Sequence, residues 1–450
     1  MKKGDILTLD VIDMGINGEG IAKSDGIPVF LPYAVDGEKV KAKIVHCKKD
    51  MAFGEVLEIA EPSPHRIKPF CIHFKKCGGC DVQHLEYPYQ LEVKKQNVLK
   101  TLKKIAGISV DIQNVFHANE WEYRNKLSLP FGKKGDRVVV GFYEKSSHDV
   151  VPLKYCPLHG EWLRSLIQIV CDYANEFQIS VYDEKTKKGL LRHLVARMID
   201  SLSVTIVING KSLPKAEVLY ERLKEKFGEV ALYISENTKN TNVIMGDTVS
   251  LIFGKEQKQS LGAFSAAVSP LSFLQVNIEV MKMLYDKAAE KIEGDKVLEL
   301  YSGVGLLTAQ IASRLPSAKI TAVEIKITAV EIVPSATRGA DNLMRDLGFS
   351  GRVKNVCADA VKFVEAQKGK LPFDCTLLDP PRKGCDRAVL EAVKNSGIKK
   401  IIYISCNPAT LARDIKILSD AYTVESVNLF DMFPQTCHIE TLVMLERKNP

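Results

Sequence analysis

Lys296-Val-Leu-Glu-Leu-Tyr-Ser-Gly-Val-Gly-Leu-Leu-Thr308 reads as a short apolar strand, a Gly-x-Gly turn and the opening of a helix. The two glycines let the backbone approach a ligand at the helix amino terminus. The third glycine of the dinucleotide fingerprint is missing, and Glu299 stands inside the strand before the turn. From about Ala263 onward, strand and helix patterns alternate, which marks a parallel sheet. A Rossmann-like α/β domain is therefore expected over residues 263–450. In such sheets ligands sit outside the carboxyl ends of the strands, so the residues at those ends decide the chemistry.

The strand–turn–helix form, with its glutamate in the strand, resembles the cofactor loop of S-adenosylmethionine (SAM)-dependent methyltransferases. A second acidic residue, ending the next strand, should then bind the ribose hydroxyls. Here Lys319-Ile-Thr-Ala-Val-Glu-Ile325 is followed at once by an identical copy, Lys326 to Ile332, so Glu324 and Glu331 both qualify. One copy already spans ~23 Å as a strand, so the two cannot share one slot in the sheet. Glu331 is preferred, because placing the second copy in the sheet pushes the extra residues to the strand's amino end, away from the site. Asp359, in Cys357-Ala-Asp-Ala360, could bond the adenine amino group.

Two later strands end in groups of a different kind. Phe373-Asp-Cys-Thr-Leu-Leu-Asp-Pro-Pro-Arg-Lys-Gly384 closes on Asp379 and two prolines, which stiffen the loop. Lys400-Ile-Ile-Tyr-Ile-Ser-Cys-Asn-Pro408 delivers the thiol of Cys406 to a loop. A lone strand cysteine is more often a small buried packing residue, and Glu440, before the strand Thr441 to Leu445, would alone be an ordinary strand-edge carboxylate. Beside a methyl donor the two become candidate nucleophile and base.

The chain has 450 residues, 46% hydrophobic and 26% charged, and a net charge of +7. That suits a globular protein of two or three domains and permits a nucleic-acid partner without requiring one. No apolar run approaches the ~18 residues of a membrane span, and the start lacks the core of a signal peptide. Eleven cysteines is an odd number, and six are scattered singly after residue 160. A reducing cytoplasm is expected, not a disulfide framework.

Residues 1–60 hold five short alternating strands punctuated by glycine turns, the pattern of a small antiparallel barrel of the oligonucleotide-binding type. Asp13-Met-Gly-Ile-Asn-Gly-Glu-Gly-Ile-Ala22 resembles the start of a TRAM domain. Lys39, Lys41 and Lys43 share one strand face, open to RNA contact or to solvent alone. Over residues 61–114, Cys71, Cys77 and Cys80 are spaced C-x5-C-x2-C ahead of a basic helix, with Lys94, Lys95, Lys100, Lys103 and Lys104 on one side. Cys156, followed by proline, is the candidate fourth ligand. Iron–sulfur ligation fits this spacing, and so does zinc with His73 or His84. Residues 115–262 read as an α+β segment with an antiparallel sheet, including a strand over Trp121 to Leu129 that carries Arg124 and Lys126.

The motifs together resemble the RNA uracil-C5 methyltransferase family. They run Ser272-Phe-Leu-Gln-Val-Asn277, Glu299-Leu-Tyr-Ser-Gly-Val-Gly305, Asp379-Pro-Pro-Arg-Lys-Gly384, Ser405-Cys-Asn-Pro408 and Asp431-Met-Phe-Pro with His438-Ile-Glu440. The resemblance implies that Cys406 is the nucleophile, that Glu440 is the base, and that Gln275, Tyr301, Glu331 and Asp379 bind SAM. His438 would orient Glu440 or serve structure alone. The TRAM-like start and Cys71, Cys77, Cys80 and Cys156 resemble the branch that methylates 23S ribosomal RNA and carries a [4Fe-4S] cluster; the transfer-RNA branch generally lacks both. A flipped uridine from a loop or bulge is the implied target, Arg124 and Lys126 would touch flanking RNA, and a monomer is expected. Transfer RNA is the alternative substrate. A non-catalytic RNA-binding iron–sulfur protein would be expected to lack the thiol or the carboxylate, and both are present.

Overall fold

The computed structural model describes residues 1–144, 147–256, 258–262, 264–314, 326–367 and 370–448. Five strands close into a barrel in the order Ile6–Met14, Gly20–Ser24, Ile27–Leu31, Ala52–Glu61, Lys39–Cys47. Period-two alternation builds it: Val40, Ala42 and Ile44 are fully buried, while Lys41 and Lys43 point outward. The outward lysines Lys39, Lys41 and Lys43 stand opposite Glu61, Glu58 and Glu55, and Lys39 Nζ is 3.0 Å from Glu61. Three glutamates offset the three lysines, so this face is not the basic patch that the lysines alone would make.

The central sheet has seven strands, ordered Thr248–Gly254, Val230–Glu236, Leu202–Ile208, Leu191–Met198, Lys126–Lys134, Arg137–Tyr143, Val150–Pro152. Helices Glu161–Glu176 and Ala216–Phe227 pack Leu163, Leu166, Leu219 and Leu223 into one core with Leu129, Leu194 and Val204. The alternating segment from Trp121 enters the sheet only at Lys126. Glu122 has a φ of 55°, and the amides of Glu122 and Arg124 donate to the carbonyls of Pro157 and Leu158, which diverts the segment from the ladder.

The third sheet has eight strands, ordered Val353–Cys357, Lys326–Glu331, Lys296–Leu300, Cys375–Leu378, Lys400–Ser405, Glu440–Arg447, Tyr422–Phe430, Ile112–Phe116. The first five are parallel, and Glu440–Arg447 runs antiparallel to both neighbours. The chain builds outward from Lys296–Leu300 on one side and then returns to the other. The order therefore reverses between Lys296–Leu300 and Cys375–Leu378, opening a crevice at their carboxyl ends. Alternate residues feed two cores, with Val297, Leu377, Ile402 and Leu442 in one and Leu298, Leu378, Ile401 and Val443 in the other. The second copy of the repeated heptad supplies the strand, pairing Lys296 with Lys326 through Leu300 with Val330. The first copy, with Glu324, lies outside the described residues. Ile112–Phe116 forms the far edge, where Phe116 stacks on Phe430 with ring centroids 4.7 Å apart.

The helix Tyr87–Thr101, continued by a π-helical turn Leu102–Ala106, joins the parts. Lys94 does not belong to a solvated basic side as its sequence neighbours suggested. It is buried, and its Nζ lies 2.6 Å from Asp431 Oδ1 and 3.2 Å from the carbonyl of Phe433. Tyr87 donates to Asp431 Oδ2 at 2.9 Å, and Gln90 and Gln435 bond each other twice, at 3.0 and 3.1 Å. A fully buried carboxylate needs such partners, so helical spacing that looked like charge patterning instead holds the loop leading to Glu440. Among the described residues no helix is long and apolar enough to cross a membrane.

Lys94→Met or Asp431→Asn should each cost about 3–5 kcal/mol in denaturant unfolding, because either strands a buried polar partner. Lys94→Met combined with Asp431→Leu should recover much of that loss. A cost below ~1 kcal/mol for the single variants would contradict the role given to this pair.

Candidate active site

The strand Lys400–Ser405 is buried along its whole length and pairs with Glu440–Arg447 up to Ser405 opposite Thr441. One step further in register come Cys406 and Glu440. The loop after the thiol is held from both sides. Asn407 Oδ1 accepts from the Ala409 amide at 3.0 Å, capping the helix Pro408–Leu418, and proline opens that helix. Asn407 Nδ2 and Thr410 Oγ1 donate to the Arg382 carbonyl at 3.2 and 3.3 Å, tying the Asp379-Pro-Pro-Arg382 loop to the thiol loop. Buried Asp414 anchors that loop further, accepting from Cys385 N at 2.9 Å and from Tyr403 Oη at 2.6 Å.

Burial governs the charges here. It pushes the Glu440 carboxyl up to about 8; nearby Asp379 adds to the shift and Arg382 opposes it. Burial pushes Asp379 up to about 7. The Cys406 thiol goes up to about 11 through burial, then through Glu440, with Arg382 again opposing. Burial therefore favours the protonated thiol and carboxyl, and Arg382 favours ionisation of both. Tyr285, buried on the helix Ile278–Ala289, lies among Asp379, Glu299 and Glu440, and burial and these carboxylates push its hydroxyl far above the usual range. Neither Tyr285 nor the electrostatic role of Arg382 stood out in the sequence, where a tyrosine at helical spacing reads as core. An open cleft leads to Cys406, walled by Arg382, Asn407 and His438, by Lys94 and Asn97 of the helix, and by Ile16 and Asn17 of the barrel.

The crevice beside it holds the residues expected to meet a cofactor. Glu299 is buried and pushed up to about 8 by burial, and it accepts from Thr308 Oγ1 at 2.7 Å, which pins the helix to the strand. Tyr301 follows with φ 67°, a left-handed conformation rare outside glycine, so the turn is strained where it opens. Gly305 has φ +78°, and a Cβ there would lie 3.0 Å from Ala340 Cβ. Glu331 ends its strand and accepts from Gly303 N at 3.0 Å and Val333 N at 2.8 Å, which aims its carboxylate into the glycine turn. Asp359 caps the helix Ala360–Ala366, with Oδ1 accepting from Val361 N and Lys362 N at 3.0 and 3.1 Å. Gln275 is buried in a loop fastened by the central sheet: Asn125 Nδ2 donates to its carbonyl at 3.0 Å, and Arg197 Nη2 to that of Ser272 at 3.0 Å. Lys126 is half-buried, and burial lowers its ammonium to about 8, with Arg197 adding to the effect.

Cys71, Cys77, Cys80 and Cys156 line a second pocket together with His73 and Arg124; His84 does not reach it. All four are free thiols. Gly79 N donates to Cys77 Sγ at 3.4 Å, and Cys71 N to Gln83 Oε1 at 3.2 Å. Burial pushes Cys80 up to about 12 and Cys156 up to about 11, and the charges of the other cysteines add to both. Such thiolates form readily only beside compensating positive charge, which a metal centre supplies. Among the described residues no three side chains of His, Cys, Asp or Glu form a group that could hold a metal ion. The four thiols thus surround a shared space without closing on one point.

A switch-point crevice carrying Glu299, the glycine turn and Glu331, on a chain that opens with a small barrel, defines a SAM-dependent methyltransferase of RNA. The profile of the tRNA (uracil-5-)-methyltransferase family matches residues 86–448, and that of the TRAM domain residues 1–57. An uncharacterized RNA methyltransferase of Halalkalibacterium halodurans is 36% identical over 100% of this chain and 98% of its own. One of Clostridium tetani is 35% identical over 99% and 97%. The crystal structure of the Pyrococcus abyssi tRNA (uracil-54, C5)-methyltransferase in complex with S-adenosyl-L-homocysteine superposes with a TM-score of 0.77 and 26% identity, covering 98% of this chain and 100% of that one. The chain belongs to the RNA uracil-5 methyltransferase family.

The coupling between Cys406 and Glu440 can be read directly. Peptide-resolved alkylation with iodoacetamide should show a pH midpoint for Cys406 well above that of an ordinary thiol. Glu440→Gln should lower the midpoint and Arg382→Ala should raise it further. An unchanged midpoint in Glu440→Gln would show that the two groups are not neighbours in the sense drawn here.

Proposed function

We propose that the chain methylates C5 of a flipped-out uridine in 23S ribosomal RNA through a covalent bond between Cys406 and C6 of the base. The observation that carries the proposal is the adjacent register of Cys406 and Glu440 at the carboxyl edge of the sheet. Uracil C5 is a weak nucleophile. The Cys406 thiol gives up its proton to solvent in the open cleft, and its sulfur adds to C6, which turns C5 into an enolate carbon. SAM supplies an electrophilic methyl group and a positive sulfonium charge. C5 takes the methyl and then bears both methyl and hydrogen. Glu440, as carboxylate, removes that hydrogen as a proton, the C5–C6 double bond re-forms and the thiolate leaves. A base buried until it sits near 8 is well matched to such a step. Gln275, Tyr301, Glu331 and Asp379 would hold SAM, with Asp359 toward the adenine. The sulfonium would favour ionised Asp379 and Glu440.

The 23S assignment is supported by the barrel and the four-cysteine pocket occurring together, as in the ribosomal branch that the motifs resemble. Cys71, Cys77, Cys80 and Cys156 would hold a [4Fe-4S] cluster, which takes one thiolate at each of four corners and so suits thiols set around a space. The methyl transfer is redox-neutral, so this centre would serve the fold or the docking of RNA. Action as a cytoplasmic monomer is proposed. A second reading, transfer RNA, is favoured by the likeness to the Pyrococcus abyssi enzyme, whose substrate is tRNA.

With SAM present, 5-fluorouridine-substituted 23S RNA should trap the protein covalently at Cys406, because no proton can leave C5. Glu440→Gln should stall as an adduct on natural RNA. The same test on a transfer-RNA transcript separates the two substrates, and no adduct on either RNA would overturn the mechanism.

A further inference from the structure

We infer that Ile16, at the tip of the barrel turn Gly15 to Glu19, enters the RNA where the target uridine leaves and holds that base in the Cys406 cleft. The inference rests on the methyl-transfer reading above and adds a residue from another part of the chain to it. Ile16 is 45% exposed, an apolar side chain kept in water on the wall of the cleft that also contains Cys406 and Arg382. The turn that carries it is closed by its own hydrogen bonds. Gly15 N donates to the Glu19 carbonyl at 2.7 Å and Gly18 N to the Gly15 carbonyl at 3.0 Å. The Glu19 carboxylate accepts from Asn17 N at 3.0 Å and Asn17 Nδ2 at 3.2 Å.

The turn is also tied to the helix Tyr87–Thr101, whose Asn97 walls the same cleft as Cys406. Asn97 Nδ2 donates to the Gly15 carbonyl at 3.1 Å, and Lys100 pairs with Asp13. Gly18 has φ +82°, and a Cβ there would fall 2.7 Å from Val82 Cγ1, so the turn lies close against the segment after Cys80. An apolar tip held in place at the mouth of a nucleophile's cleft has the chemistry of a wedge. Apolar side chains inserted between bases fill the gap left by a flipped nucleotide and offset lost stacking. The barrel's outward lysines are matched by glutamates, so its contribution would lie in this tip, not in that charged face. A wedge raises the fraction of bound RNA whose base reaches Cys406. Its loss therefore slows adduct formation at saturating RNA, where loss of a plain RNA contact would weaken affinity.

The test is the rate of covalent adduct formation at saturating RNA, on a folded 5-fluorouridine-substituted 23S transcript and on a short unstructured 5-fluorouridine oligonucleotide. Ile16→Ala should be about tenfold slower than wild type on the folded transcript and equal to it on the oligonucleotide. Ile16→Leu, which keeps an apolar tip, should stay within about twofold on both. Equal losses on the two RNAs, a loss confined to affinity, or no loss on the folded transcript would overturn the wedge while leaving the mechanism in place. No adduct from the wild type on either of these RNAs or on a transfer-RNA transcript would overturn the methyl-transfer reading, and the wedge with it.

Discussion

The site depends on one ladder, the antiparallel pairing of Glu440–Arg447 with Lys400–Ser405. A parallel strand in that slot would bring its carboxyl end to the catalytic edge. The antiparallel one brings its beginning, so Glu440, the first residue of the strand, comes one step beyond the Ser405–Thr441 pair, level with the thiol. Both strands are buried almost throughout, and a slip of one residue would turn every side chain to the opposite core. Packing of Ile402 and Leu442 in one core and Tyr403 and Val443 in the other therefore fixes the distance between a thiol and a carboxylate that no local interaction sets.

Charge is arranged around that ladder by burial more than by pairing. Asp379, Glu299 and Glu440 are all raised, and Tyr285 sits among them without offsetting their charge. Buried carboxyls that share a crevice resist ionising together, and a cation entering it relieves that resistance. A sulfonium donor meets this demand. Arg382, on the loop bonded to Asn407 and Thr410, acts from the open side, where the base would arrive. The barrel face bearing Lys39, Lys41 and Lys43 contributes little net charge, so nucleic-acid contact is better sought around the cleft.

Much of this was legible in the sequence, because local pattern carried it. The Gly-x-Gly turn, the Asp-Pro-Pro loop and Ser405-Cys-Asn-Pro408 each sit at a strand end whose apolar run announces it. The repeated heptad posed a register question, and the strand Lys326–Glu331 comes from the second copy. Three features were not legible for one shared reason: they depend on pairings remote in sequence. Ile112–Phe116 carries nothing local that points to Tyr422–Phe430 as its neighbour. Lys94 reads as one more lysine on a basic helix until Asp431 is folded against it. Ile16 reads as a turn residue until the turn is set beside Cys406. Trp121 to Asn125 shows the opposite failure, alternating like a strand while the positive φ of Glu122 leads it elsewhere.

The central claim is that Cys406 and Glu440 act in sequence on one uracil, the first activating C5 and the second removing its hydrogen. RNA labelled with tritium at uridine C5 tests this directly when methylated with carbon-labelled SAM. The wild-type protein should release tritium to water in equal amount to methyl transferred. Glu440→Gln should transfer methyl while retaining tritium on a protein-bound product, and Cys406→Ala should do neither. Methyl transfer by the wild type without tritium release, or normal release by Glu440→Gln, would contradict the account.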